Sequence, residues 1–330
     1  MATPDFPVSI LAVAFHPQVT SALRTHANSF RATSLQLSGS ITALATPFTS
    51  AGEVDFPAWR RLLAAQIDGG TQAVVVAGST GEAAALGQEE YVRLLKVAVV
   101  QVAGRIPVLA GTGQPGTAKT VAQTRIARDC GANAALVVTP PYVRPTQAGL
   151  VAHYLEIASQ GGLPVVLYNV PGRTGCDLLP ETVAVLCKHP GIIGLKEARS
   201  DEARWTALYP LRSPTFSLLS GDDPTFVRAV AGGADGVISV ASNVVPRSFR
   251  RLCDQMAAGQ GEQARALDAQ LQALYDFLGV EPNPIPVKAL LKRLGIGDGL
   301  RLPLLPLSPI HATQADAMAD FCRQIEADRS

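Results

Sequence analysis

Residues 41–48 read Ile41-Thr42-Ala43-Leu44-Ala45-Thr46-Pro47-Phe48, a short apolar run that stops at a Thr-Pro-Phe turn. Two α/β architectures can open on such a strand. A doubly wound dinucleotide-binding sheet follows it with a Gly-x-Gly-x-x-Gly fingerprint, because glycines let the backbone close on a pyrophosphate. No such fingerprint follows Ala45. Working outward, similar runs recur at Val74–Ala77, Val108–Ala110, Leu136–Val138, Val165–Leu167, Ile192–Leu195, Phe216–Leu219 and Gly236–Ser239. Each is too short and too β-branched to be a core helix, and amphipathic stretches such as Phe56–Ile67, Glu89–Val102 and Thr117–Cys130 lie between them. Glycines before the next run (Gly69-Gly70, Gly104, Gly131, Gly161-Gly162, Gly232-Gly233) read as helix ends. Continuously apolar strands spaced by helices mean a parallel sheet covered on both faces. Eight strand–helix units between Gly39 and Gly259 predict a (β/α)8 TIM barrel, whose usual length is ~250 residues.

The barrel domain is accordingly placed at residues 39–260. Helical patterns at Glu262–Leu278, Pro286–Leu294 and Ala315–Ala327 exceed what eight units need and predict a C-terminal helical appendage over 261–330. Residues 1–38 differ from the rest, with Asp5 their only acid and Arg24 and Arg31 among Ser and Thr. They are expected to be an N-terminal extension, either a transit peptide or the product of an upstream start codon.

Composition removes whole classes of function. Of 330 residues 47% are apolar and 17% charged, which excludes disorder. Lys and Arg number 28 against 27 Asp and Glu, so the chain lacks the positive excess that nucleic-acid binding needs. No apolar run reaches the roughly 18 residues of a membrane helix. The five cysteines (Cys130, Cys176, Cys187, Cys253, Cys322) lie far apart without ligand spacing, as do the five histidines. They read as free thiols in a reducing, cytoplasmic setting with no metal site.

Barrel enzymes place their chemistry at the carboxyl ends of the strands. Behind the second run stands Gly78-Ser79-Thr80-Gly81-Glu82, which reads either as a plain tight turn or as one whose successive N–H groups form an anion nest suited to a small carboxylate. The fourth run leads into Thr139-Pro140-Pro141-Tyr142, the fifth into Tyr168-Asn169-Val170-Pro171-Gly172-Arg173, the sixth into Lys196-Glu197 and the seventh into Gly221-Asp222-Asp223. A lysine beside a glutamate commonly forms an ion pair facing solvent. At the top of a barrel core it instead loses water, and a neutral amine can attack a ketone to form a Schiff base. Tyr168, one strand away, favours the second reading, since a phenol there can shuttle the protons that dehydration requires. Arg173 reads either as a loop arginine in surface water or as a bidentate carboxylate clamp, and Asp222 with Asp223 as a helix N-cap pair ahead of Pro224.

The motifs GSTGE (78–82), YNVPGRTG (168–175), IIGLKEA (192–198), LLSGDD (218–223), GVISVASN (236–243) and EPNPIPVK (281–288) together resemble the 4-hydroxy-tetrahydrodipicolinate (dihydrodipicolinate) synthases of the pyruvate-dependent class I aldolase family. The similarity spans about Ser38 to Pro309. It implies a lyase of lysine and diaminopimelate biosynthesis that condenses pyruvate with L-aspartate 4-semialdehyde and needs no metal or organic cofactor. By the same resemblance Lys196 forms the Schiff base, and Tyr168 is the general acid/base. Thr80 links Tyr168 to Tyr142, which reaches into a partner's site in a homo-oligomer, commonly a tetramer. The N–H groups of Ser79 and Thr80 hold the pyruvate carboxylate, Arg173 takes the semialdehyde carboxylate, and the carbonyls of Gly221 and Ile238 face the substrate.

Five positions depart from the family pattern. Ser79 replaces a usual threonine, as in N-acetylneuraminate lyases, and Pro141 replaces an aromatic. Tyr91, Pro115 and Lys119 stand where lysine-inhibited members carry His, Asn and Glu, which predicts weak or absent inhibition by lysine. N-acetylneuraminate lyase and 2-keto-3-deoxy sugar acid aldolases share the chemistry, but Arg173 favours a carboxylate-bearing second substrate. A non-catalytic pyruvate-binding barrel would need the Lys196, Tyr168, Thr80 and Tyr142 set to be broken, and a phosphate-binding isomerase lacks its glycine loop.

Overall fold

The computed structural model describes residues 35–327. Eight strands form a closed, wholly parallel barrel: β1 (Gly39–Ala43), β2 (Ala73–Val76), β3 (Val108–Gly111), β4 (Ala134–Val138), β5 (Val165–Asn169), β6 (Ile192–Glu197), β7 (Ser217–Ser220) and β8 (Gly236–Ser239). Closure is made by β8 on β1, with Ile41 in register with Ile238. Every strand residue but a few at the ends is buried, because alternate side chains fill either the lumen or the layer under the helices. Ile41, Val75, Leu109, Val166, Leu219 and Ile238 pack the lumen, while Val74, Val76, Val137, Leu167, Leu195 and Val237 belong to the outer core.

The barrel helices are α1 (Phe56–Asp68), α2 (Gln88–Val102), α3 (Thr117–Asp129), α4 (Gln147–Gln160), α5 (Pro180–Leu186), α6 (Glu202–Leu208), α7 (Phe226–Gly232) and α8 (Pro246–Ala257). The start of α1 shows how local sequence sets these limits. Asp55 accepts the Ala58 N–H at 2.8 Å, and Pro57 in the first turn has no N–H to leave unpaired. Its end is a Schellman turn in which Gly70 (φ +79°) donates to Ile67 and Thr71 donates to Gln66.

Helices α9 (Gly261–Leu278), α10 (Ile285–Arg293) and α11 (Ala312–Ala327) make up the predicted appendage. Leu267, Leu271, Leu274, Phe277, Val287, Leu290 and Cys322 share one apolar cluster with the outer barrel core, so these helices are bolted to the barrel wall. The expectation for the N-terminal extension falls outside the described residues up to residue 34. Leu37, inside that range, is buried in the lumen cluster and donates its N–H to Ser217 Oγ at 3.2 Å. No helix among the described residues is long and apolar enough to cross a membrane.

Candidate active site

Strands β5 and β6 run two residues past their apolar runs, and this extension builds the site. Tyr168 and Lys196 are register partners in adjacent strands, both aimed into the lumen end. Lys196 is 4% exposed and Tyr168 8%. The Lys196 Nζ stands 4.3 Å from the Tyr168 ring centroid. Glu197 points the other way, as strand alternation requires. It is 1% exposed and pairs with Arg204 Nε at 2.8 Å. The ion pair between Lys196 and its chain neighbour is therefore ruled out. Burial pushes the Glu197 carboxyl up, and Arg204 opposes that shift. Across the lumen end, an added Cβ at Gly221 would lie 2.8 Å from Lys196 Cε, so a side chain there would push the lysine stem aside.

The 78–82 turn is bracketed by two non-glycine residues in left-handed backbone, Ala77 (φ +54°) and Glu82 (φ +51°), a costly geometry retained where the surroundings fix it. Gly81 and Ala83 donate to the Gly78 carbonyl, and Glu82 donates to that of Ser79. Among the described residues no backbone acceptor takes the Ser79 or Thr80 N–H. Ser79 is exposed and Thr80 buried. Asn283 Nδ2 donates to Thr80 Oγ1 at 3.0 Å, and its carbonyl accepts from Arg173 Nη2 at 2.9 Å. Arg173 itself sits on the single helical turn Pro171–Thr174 directly behind β5.

Glu82 anchors the turn from beneath. It forms a buried ion pair with Lys288 of α10 and accepts the Arg301 N–H at 3.1 Å. The Arg301 guanidinium grips Glu90 with two nitrogens, at 2.7 and 2.5 Å. Lys288 and Arg301 both stack on the Phe48 ring, 4.1 and 4.2 Å from its centroid. Burial pulls the Lys288 amine down to about 8 against the pull of Glu82. The EPNPIPVK motif by itself assigns Asn283 and Lys288 no role. A lysine inside the apolar stretch Ile285–Leu291 was the available signal.

Lys196, Tyr168, Ser79, Thr80, Gly221 and Ile238 thus lie at one end of the barrel, with Arg173 behind β5. Tyr142 stands apart. It is 93% exposed and left-handed (φ +72°), held by its N–H to the Thr174 carbonyl at 3.1 Å. The relay from Tyr168 through Thr80 to Tyr142 is not closed within one chain. The N-cap pair also needs correction. Asp222 accepts from the Thr225 hydroxyl, whereas Asp223 Oδ2 accepts the N–H groups of Val240 (3.0 Å) and Ala241 (2.7 Å), stapling the end of β8. Asp222, the N-cap of the 3-10 turn Asp223–Thr225 that leads into α7, takes no N–H of that turn on its side chain.

Asp223 gives a pH dependence with a definite sign. Burial raises its carboxyl to about 6, against roughly 3.9 in the unfolded chain. Below about pH 4 both states hold the proton and this stabilising contribution is complete. It is lost as pH rises through about 6, in total about 2–3 kcal/mol. Asp223→Asn keeps an acceptor for the two N–H groups and should abolish the loss. Burial holds His153 down to about 4, which gives parent and variant alike an opposite slope, so the difference is what reports Asp223. The parent's urea midpoint should fall relative to the variant's between pH 4 and 7, and parallel curves would refute the assignment.

A closed (β/α)8 barrel carrying a buried lysine against a phenol at its strand ends defines the class: a lyase barrel of the Schiff-base aldolase type. Residues 36–321 match the dihydrodipicolinate synthetase family, and the chain belongs to that family. It is 63% identical over 293 residues to the 4-hydroxy-tetrahydrodipicolinate synthase of Xanthomonas axonopodis pv. citri, covering 89% of this chain and 97% of that one. The enzyme of the same name from Stenotrophomonas maltophilia K279a is 61% identical, covering 89% and 99%. Among solved structures, the dihydrodipicolinate synthase of Acinetobacter baumannii complexed with pyruvate superposes with a TM-score of 0.85 at 39% identity, over 87% of this chain and 99% of that one.

Proposed function

We propose that the chain is a 4-hydroxy-tetrahydrodipicolinate synthase, joining pyruvate to L-aspartate 4-semialdehyde through a Schiff base on Lys196. The observation that carries this reading is the buried Lys196 amine 4.3 Å from the Tyr168 ring centroid. The Lys196 amine adds to the pyruvate ketone once it has shed its proton, and the carbinolamine loses water as Tyr168 supplies a proton to the departing hydroxyl. With the iminium as electron sink, the deprotonated Tyr168 takes a methyl proton, and the resulting enamine attacks the semialdehyde carbon, whose oxygen receives that proton back. The substrate amino group closes the ring on the iminium carbon and releases Lys196. Metal and organic cofactor have no part in these steps. The amides of Ser79 and Thr80 would hold the pyruvate carboxylate, Arg173 would take that of the semialdehyde, and the carbonyls of Gly221 and Ile238 would line the cleft.

A second copy of the chain would supply Tyr142 to the Thr80–Tyr168 pair, in a homo-oligomer of at least two protomers, by resemblance a dimer of dimers. Its near-complete exposure, beside a half-exposed Val143, supports this. The compartment proposed is the cytoplasm. Borohydride reduction in the presence of pyruvate should leave a mass adduct on the Lys196 peptide. A panel of keto acids should show kcat/KM highest for the pyruvate and semialdehyde pair. Preference for a sugar acid would place the chain among the lyases instead.

Inhibition by lysine is expected to be weak or absent. Tyr91 is buried with its hydroxyl donating to the Gly111 carbonyl at 3.1 Å, while Pro115 and Lys119 are exposed. A cation at position 119 repels the effector's ammonium by about 1 kcal/mol. Initial rates should hold in millimolar L-lysine; a halving would overturn this.

A further inference from the structure

We propose that Asn169, Glu197 and Arg204 form a clamp behind the barrel wall that positions Tyr168 and Lys196 against each other. The inference rests on the Schiff-base reading above. Asn169 and Glu197 each follow directly after one of the two reacting residues, and strand alternation turns both toward the helix layer. There the Asn169 amide bridges the strands, donating to the two Glu197 carboxylate oxygens at 3.0 and 3.1 Å. It also donates to Asp177 Oδ1 at 2.9 Å, while its own oxygen accepts the Leu178 N–H at 2.9 Å. Glu197 further accepts from the Arg199 N–H and from Arg204 Nε, each at 2.8 Å. Arg204 in turn grips both oxygens of Asp177 at 3.1 and 2.9 Å and donates to the Leu178 carbonyl.

Asn169, Glu197 and Arg204 are all buried, and none of them keeps an unpaired buried polar atom. A network this complete is stiff. It is also an expensive way merely to hold two strands together, since apolar residues of the same volume stabilise a sheet as well or better. What it adds is direction. The backbone carries the same coupling, with Ala198 donating to the Asn169 carbonyl at 3.0 Å and Gly221 donating to that of Glu197 at 2.7 Å. Three pieces of the site therefore hang from two adjacent residues: the phenol, the amine, and the glycine that the lysine stem crosses. Through Asp177 and Leu178 the clamp also reaches the segment just after the Arg173 turn. Asn169 and Glu197 are positioning residues, since neither touches the reacting atoms.

The test is the rate of Schiff-base formation, read by borohydride quenching of the full-length protein with pyruvate followed by intact mass. Asn169→Ala should form the adduct about 10- to 100-fold more slowly, as expected for misplaced reacting groups. Asp55→Ala, which removes the α1 N-cap far from the site, serves as a control that loses stability and should keep the rate within about twofold. Glu197→Gln preserves shape but sets an amide against Arg204, and should slow the same step to a smaller degree. A parental rate in Asn169→Ala overturns the clamp, even if its melting temperature falls. Should Asn169→Ala not fold, a parental rate in Glu197→Gln overturns it equally. Absence of an adduct in the parent protein would instead sink the Schiff-base reading itself.

Discussion

Replacing Lys196 by alanine should erase the borohydride-trapped pyruvate adduct and lower kcat by on the order of 10⁴-fold or more, with the fold intact. The size follows from the chemistry. In the proposed mechanism the condensation runs through a covalent bond to this one nitrogen, so its loss removes a pathway and does not merely weaken a contact. Intact folding follows from the structure. The acidic chain neighbour Glu197 is paired with Arg204 on the opposite face of β6, so removing the amine leaves that carboxylate matched. Lys196→Arg sharpens the result. It keeps the positive charge and most of the stem, yet a guanidinium does not give up its proton to become a nucleophile. Both variants should therefore be equally inactive while melting near the parent. Residual adduct on the alanine variant, located by peptide mass, would move the covalent chemistry to another residue.

The barrel was legible because its signal is repetition. One strand of four apolar residues proves little, but eight of them, each followed by a helix period, define a closed sheet, and β8 occupies the predicted Gly236–Ser239. Limits were read less well where chemistry begins. The apolar run of β6 stops at Leu195, yet the ladder continues through Lys196 and Glu197, since backbone hydrogen bonds are indifferent to side-chain polarity. Residue type could not say on which face Glu197 lies; parity from Lys196 could, once the strand was known to extend. Asp223 was read as a cap from the proline behind it, although its partners come from the next strand over. The contacts between Asn283 and Thr80 and between Lys288 and Glu82 span 203 and 206 residues. No spacing rule reaches that far, because they arise only when the C-terminal helices fold back over the barrel end.

The ion pair beneath the 78–82 turn should be the most fragile electrostatic element of the molecule. Lys288→Met is expected to destabilise the protein by about 3 kcal/mol or more, because it leaves the Glu82 carboxylate buried without its cation. Arg301 moderates the loss, since its N–H still reaches Glu82 at 3.1 Å and its guanidinium lies nearby on Phe48. The double variant Glu82→Gln/Lys288→Met removes both charges and should recover most of the stability, as buried pairs replaced by neutral groups often do. Denaturant midpoints at neutral pH give the comparison, and a double variant no more stable than Lys288→Met alone would show that charge is not the cause. Activity carries a second consequence. Glu82 is the left-handed corner of the turn that presents the Ser79 and Thr80 amides, the proposed holders of the pyruvate carboxylate, so a loosened Glu82 should raise KM for pyruvate more than it lowers kcat. In the double variant the melting temperature should return while KM stays high, because a glutamine beside a methionine no longer fixes that corner. Stability and pyruvate affinity separating in this way would show that the ion pair serves the geometry of the anion nest and not the strength of the fold.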